Sequence, residues 1–207
     1  MTGPPAPLRT WVCFYPDPGS TRAPPGGKTR WDRYQIESIS VLRGAEPTGI
    51  QEGGWLVRTE SEQEPTAKAC ELVGVTQHLT YTHAPERREL TGISAAESGP
   101  VAVLIPISKS AAWWALAQDE RDALFRGKRE RPGHLAVGRG YASRVFRKLY
   151  HARYVPGSHW DFLTYFEFPK ERADDFRALV AELRDPATNP EWEFVERETE
   201  IWLQKQF

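Results

Sequence analysis

Val101–Ile107 reads VAVLIPI, an unbroken apolar run of the kind that marks a strand buried on both faces. Working outward from it, Ser110–Arg126 carries Trp113, Trp114, Leu116, Ala117 and Leu124 at helical spacing. A second helix spans His134 to about Arg139, and Arg144–His151 (RVFRKLYH) fits either strand or helix. Asp161–Phe168 (DFLTYFEF) alternates, with Phe162, Thr164, Phe166 and Phe168 on one face of a strand. Glu171–Arg184 is an amphipathic helix with Phe176, Leu179, Val180 and Leu183 inward, broken by Asp185–Asn189. Trp192–Leu203 reads as a last strand. The order strand, helices, strand, strand, helix, strand is α+β: a ferredoxin-like unit with helices on one face of an antiparallel sheet.

The first hundred residues read differently. They hold 11 of the 17 Pro and 11 of the 16 Gly, so short strands and loops are expected there. Met1–Thr10 reads as a frayed tail and Ser20–Lys28 as a turn-rich loop. Trp11–Tyr15, Tyr34–Leu42, Trp55–Thr59 and Leu72–Tyr81 are strand candidates. A full ferredoxin-like unit needs an amphipathic helix, for which Arg30–Leu42 is the best and weak candidate. The expected division is a disordered tail over 1–10, a reduced N-terminal subdomain over 11–100 and a second subdomain over 101–207.

Composition narrows the function classes. Twenty-seven basic residues against 28 acidic give a net charge of −1, with no electrostatic case for nucleic acid or an anionic membrane. No apolar run approaches the roughly 20 residues that span a bilayer. The first residues lack an apolar signal core, so export by that route is not expected. Two cysteines, Cys13 and Cys70, exclude a disulfide-rich scaffold or Cys-rich zinc module and fit a reducing cytoplasm. No P-loop and no H-E-x-x-H occurs, and His78 and His83 would not share a face. Eight Trp against one Met is unusual; stiff aromatic area packs cores or walls flat cavities.

The stretch from Val101 to Leu203 resembles the chlorite dismutase family of haem proteins. The matching strings are IPISK (105–109), WWAL (113–116), Glu120-Arg121, His134, RKLYH (147–151), DFLTYFE (161–167), Phe176-x-x-Leu179-Val180-x-x-Leu183 and Glu191. They cover about half the chain. The resemblance implies a ferredoxin-like α+β antiparallel β-barrel with helices on its outer face, binding haem b and self-associating. It places His134 as the proximal haem ligand, although His134 alone reads as easily as a helix-capping residue beside Gly133. Arg147, 13 positions on, takes the place of the distal arginine. Its neighbours Arg144 and Lys148 make an ordinary charge run, from which only the register against His134 singles it out. Glu191 matches the carboxylate behind the proximal His, with Glu193 as the alternative, and Lys109 completes that network. Trp113 and Trp114 match a pair bordering the haem; adjacent helical residues point about 100° apart, so at most one faces it directly. Tyr150 and Tyr165 read as core or barrel wall.

The implied activity is that of a haem-dependent oxidoreductase, splitting chlorite to chloride and dioxygen through a ferryl intermediate. A permanently charged guanidinium suits a small anion, whether chlorite, a related oxyanion or peroxide. Two alternatives stand. One is a related haem enzyme with peroxidase-like, nitrogen-oxide or coprohaem chemistry; coprohaem decarboxylases usually lack the distal arginine, so Arg147 argues against that branch. The other is a non-catalytic haem-binding or sensing protein. A cytoplasmic homo-oligomer, with a dimer favoured, completes the expectation.

Overall fold

The computed structural model describes residues 10–17, 30–44, 47, 49–65, 72–76 and 98–206. Among the described residues the strands are β1 (Trp11–Pro16), β2 (Arg30–Arg43), β3 (Trp55–Ser61), β4 (Leu72–Val75), β5 (Val101–Lys109), β6 (Phe146–His151), β7 (Phe162–Phe168) and β8 (Val195–Gln206). They close into one barrel in the order β1-β3-β2-β8-β5-β7-β6-β4, every pairing antiparallel. The closing contact between β4 and β6 is the single pair Val75↔His151. Four helices follow β5: α1 (Ala111–Ala115), α2 (Gln118–Arg126), α3 (Gly133–Tyr141) and, after β7, α4 (Ala173–Arg184). The α+β barrel expected from the sequence is present.

β5 and β7 explain why the second half holds together. Side chains alternate along a strand. Ala102, Leu104, Leu163 and Tyr165 therefore fill the barrel lumen, while Val101, Val103, Ile105, Phe166 and Phe168 form a second core beneath the helices. The register Val103↔Phe166, Ile105↔Thr164, Ile107↔Phe162 keeps both sets in phase; a slip of one residue would exchange lumen and helix faces. α4 is anchored by Phe176, whose ring lies 5.1 Å from Phe166, 5.1 Å from Phe168 and 5.2 Å from Trp202. Each such fully buried ring stabilises the fold by roughly 2–3 kcal/mol through area alone.

Several expectations are corrected. Ser110–Arg126 is two helices: Leu116 and Ala117 are extended, and the Glu120 carboxylate accepts the Ala117 N–H at 2.7 Å and starts α2 afresh. Arg144–His151 resolves as strand from Phe146, because β7 pairs along it and Val75↔His151 closes the barrel. The last strand begins at Val195, since Pro190–Phe194 winds into a 3-10 turn with proline at its start. Arg30–Arg43 is a 14-residue strand with two bulges and not a helix, and among the described residues no helix precedes α1. The tail before Thr10, the Ser20–Lys28 loop and the end of the Leu72–Tyr81 strand lie outside the described residues, as do His78 and His83.

The expected division at residue 100 separates four strands from four, and β2–β8 and β4–β6 hydrogen bonds join the halves. Cys13 is disulfide-bonded, so cysteine usage does not support a reducing compartment. No described helix is long and apolar enough to cross a membrane.

Candidate functional site

α3 starts at Gly133 in the left-handed region (φ 78), where an added Cβ would sit 2.5 Å from the Gly127 backbone nitrogen. Only glycine allows that approach, and it fixes His134 on the first turn. The His134 Nδ1 lies 2.8 Å from Glu191 Oε2. A carboxylate can only accept here, so Nδ1 carries the proton and Nε2 keeps its lone pair. Nε2 is buried with no hydrogen-bond partner. Phe125 of α2 stacks on the imidazole at 4.8 Å. Burial pulls the His134 pKa below its usual value, and the charge of Arg147 adds to this against the opposing pull of Glu191. His134 is therefore a neutral imidazole at pH 7.

Lys109, at the β5 bulge, reaches Glu191 Oε1 at 2.8 Å and its carbonyl at 3.3 Å. Burial by itself would push the Glu191 carboxyl up, but Lys109 and His134 hold it well below the usual carboxylate range. Glu193 points away, exposed and paired with Arg131. The Lys109–Glu191–His134 chain is thus assembled from β5, the turn before β8, and α3.

Arg147 lies on β6 with its guanidinium carbon 5.9 Å above the Phe166 ring. Phe166 belongs to the helix-facing core, so Arg147 faces the helices too. A Cβ added at Gly138 would stand 3.6 Å from Arg147 Nη1. Gly138 is four residues after His134, on the same helix face. The histidine and the arginine therefore look onto one space between α3 and the β6–β7 sheet. Burial brings the Arg147 pKa down to about 10, with Glu191 opposing, which leaves it protonated at neutral pH; its Nε is buried without a partner. The neighbours part ways. Arg144 pairs with Asp175, and Lys148 points into the lumen at Glu60.

The tryptophans also diverge. Trp113 is 2% exposed, packs on Phe194 at 5.5 Å and lies 4.9 Å beneath Lys109 Nζ. Trp114 stacks on Phe162 and under Arg153, whose guanidinium carbon is 3.8 Å from its ring. Asp161 is the residue that sequence reading passed over. It accepts the Lys109 N–H at 2.7 Å and the Trp114 indole N–H at 3.1 Å, and pairs with Arg153 at 2.8 Å. Its sequence signal is its place at the head of the matching string DFLTYFE, where no role was attached to it. Leu149 and Thr164, on the same sheet face as Arg147 and Phe166, were legible only as alternation.

This donor set fits a haem. Nε2 is a buried, deprotonated imidazole nitrogen with nothing to bond, a standard axial ligand. Gly138 leaves a side-chain-free step beside it, and apolar and aromatic side chains flank the space. Among the described residues no cluster of three or more His, Cys, Asp or Glu offers an alternative metal site.

Glu191→Gln tests the network. The amide can still accept from Nδ1 but leaves Lys109 a buried, unpaired cation, so denaturant unfolding of the apo-protein is expected to show a loss of about 3 kcal/mol. Glu191 is depressed in the fold, so its stabilisation is present above pH 4.5 and lost as pH falls toward the depressed value. The variant's deficit should accordingly be full at pH 7 and shrink in acid.

A family model described as chlorite dismutase matches residues 48–201, well over half of the chain. A chlorite dismutase from Ideonella dechloratans is 34% identical over 101 residues, 46% of this chain but only 33% of that protein. The alignment thus spans about a third of that relative's length. A solved dimeric chlorite dismutase from Nitrobacter winogradskyi superposes with a TM-score of 0.70 at 31% identity, over 94% of this chain and 99% of that one. A chlorite dismutase from Candidatus Nitrospira defluvii, 24% identical with a TM-score of 0.63 over 95% of this chain and 90% of that one, shares the fold. With the barrel, the matched segment and this likeness in agreement, the chain belongs to the chlorite dismutase family.

Proposed function

We propose that this protein is a haem b-dependent oxidoreductase that converts chlorite to chloride and dioxygen. The observation that carries the reading is the unpartnered His134 Nε2 facing the same space as the Arg147 guanidinium. Bound there, haem supplies the iron redox chemistry that cleavage of a Cl–O bond requires. His134 holds the iron through Nε2. Glu191 keeps the proton on Nδ1 and gives the imidazole imidazolate character, while Lys109 keeps Glu191 ionised. Arg147 draws the anion in, orients it, and retains the chlorine-bearing fragment against escape to water. With a net charge of −1 the chain has no global field to do this, so the attraction is local.

Membership of the family and the dimeric Nitrobacter winogradskyi relative support a homodimer. The test is direct. Titrate the purified protein with haemin, follow the Soret band, then record dioxygen release on adding chlorite. Stoichiometric uptake with rapid release supports the reading. Turnover of peroxide, nitrite or iron coproporphyrin without dioxygen from chlorite would replace it, and absence of haem binding would end it.

A further inference from the structure

The barrel lumen holds a buried polar cluster that the proposed chemistry does not use. Arg58 reaches Glu60 at 2.6 Å and Asp32 at 3.1 Å; Lys148 reaches Glu60 at 2.7 Å; Lys205 reaches Asp32 at 2.9 Å and Glu167 at 3.8 Å. These cations and carboxylates balance one another. Set among them are the fully buried phenols of Tyr34, Tyr150 and Tyr165.

Tyr165 and Tyr150 each have a proton acceptor and a second hydrogen bond, but the second partner of Tyr150 is the Arg58 cation at 3.0 Å, whereas that of Tyr165 is the neutral Tyr34 phenol. Tyr165 sits on β7 between Thr164 and Phe166, which face the helices, so one strand separates it from the His134–Arg147 space. Its hydroxyl donates to Glu167 Oε2 at 2.6 Å. Its oxygen is 2.8 Å from Tyr34 Oη. Because the Tyr165 proton is committed to Glu167, Tyr34 is the donor of that pair. Burial raises the Tyr165 pKa, with Tyr34 adding to it, so simple ionisation is closed. Loss of an electron together with the proton is not closed, because the tyrosine is then left as a neutral radical, neither a buried phenolate nor a cation radical.

We infer that Tyr165 is a one-electron donor to the oxidised cofactor, a sink that discharges haem oxidised by a peroxide when no oxyanion is present to be turned over. This rests on the haem reading above. The electron passes from Tyr165 to the peroxide-oxidised haem, which is reduced by one electron. The phenolic O–H bond breaks and its proton moves to Glu167 Oε2. The products are a neutral tyrosyl radical and a neutral Glu167 carboxylic acid. The Tyr34 hydroxyl stays donated to the radical oxygen and holds it in place. The oxidising equivalent ends in a closed lumen, away from substrate and water.

The competing side chains are less well equipped. Tyr150 donates to Glu60. Burial would raise the Glu60 pKa, but Arg58 and Lys148 hold it below the usual range, which makes it a poor proton acceptor. The Trp113 indole N–H has no acceptor at all. Trp114 donates to Asp161, whose carboxylate is also engaged by Arg153.

The experiment is electron paramagnetic resonance of the haem-loaded full chain, frozen after mixing with hydrogen peroxide. A tyrosyl signal is expected, with hyperfine structure that collapses when ring-deuterated tyrosine is incorporated. Tyr165→Phe should lower its yield about tenfold and speed peroxide bleaching of the Soret band, while Tyr150→Phe leaves the yield intact. Glu167→Gln keeps an acceptor oxygen but cannot take the proton, so it should lower the yield similarly with the phenol still present. That separates a redox role from packing, and it decides the matter alone if Tyr165→Phe does not load haem. A signal unchanged in either variant, or one responding to deuterated tryptophan instead, overturns the assignment. A haem-loaded protein with no tyrosyl signal overturns this inference only; a protein that takes up no haem overturns the functional reading with it.

Discussion

His134→Ala is expected to lose the sharp Soret band of the haem-loaded protein and to weaken haem affinity by at least about 100-fold, with dioxygen release falling to background. The expectation follows from what His134 does in the absence of any ligand. Its Nε2 is a buried acceptor with nothing to accept. Such a group costs the fold about 1–3 kcal/mol, so its removal offsets part of what the apo-protein carrying the alanine loses with the Nδ1–Glu191 hydrogen bond and the packing against Phe125. The cost is offset when a metal takes the lone pair. Removing the ring also leaves Glu191 with Lys109 alone. Adding free imidazole to the variant should restore a Soret band, because the Glu191 carboxylate remains in place to receive an N–H. The protonation sense is checkable too. The folded pKa of His134 lies below the ordinary 6.5. As pH falls through 6.5 the unfolded chain takes up a proton that folded His134 refuses, so this residue withdraws stability on acidification. Haem should therefore stay bound to pH values below 6.5, and a release midpoint above that would contradict the neutral imidazole.

Arg147→Ala should take up haem with an unchanged Soret band and lose dioxygen release from chlorite by about 100- to 1000-fold in kcat/KM. The guanidinium contributes no ligand to a metal held by His134. Its loss should appear at low chlorite concentration first, as weakened capture, and then as escape of hypochlorite, which a chlorination dye in the assay would report. Arg147→Lys keeps the charge but not the planar fork and should fall between the two. One further consequence distinguishes loss of charge from loss of shape. The positive charge of Arg147 helps hold the His134 pKa down, so the alanine variant should release haem in acid at a higher pH than the parent, and the lysine variant should not. Full activity of Arg147→Ala would remove the assigned role.

Much of this was legible from residues at fixed spacing. VAVLIPI announces a strand buried on both sides because seven apolar residues cannot otherwise be hidden, DFLTYFEF announces one by alternation, and the structure pairs them. The Phe176–Leu179–Val180 stripe announces the covering helix. Other features were not legible, for physical reasons. RVFRKLYH has no periodicity that separates strand from helix; pairing with β7 decided it. Ser110–Arg126 has one helical pattern, and a single side chain, Glu120, capping a backbone N–H divides it. Asp161 opens the matching string DFLTYFE with nothing local to say what it binds, yet it ties β5, α1 and the β6–β7 turn together.

The sequence by itself determined the α+β order, the buried strand at Val101–Ile107, the alternating strand at Asp161–Phe168, and a histidine, an arginine, a lysine and a glutamate in the family's register. Local apolar pattern and spacing encode these. Only the tertiary structure decided that the described strands close into a single barrel, that Glu191 rather than Glu193 meets His134, and that Arg147 stands against Gly138 on the histidine's helix while Arg144 pairs with Asp175 and Lys148 with Glu60. Each depends on residues far apart in the chain. A difference of one residue on a strand turns a charge from the helix face to the lumen, and that turn is set by sheet register, which pairing partners impose from outside the segment.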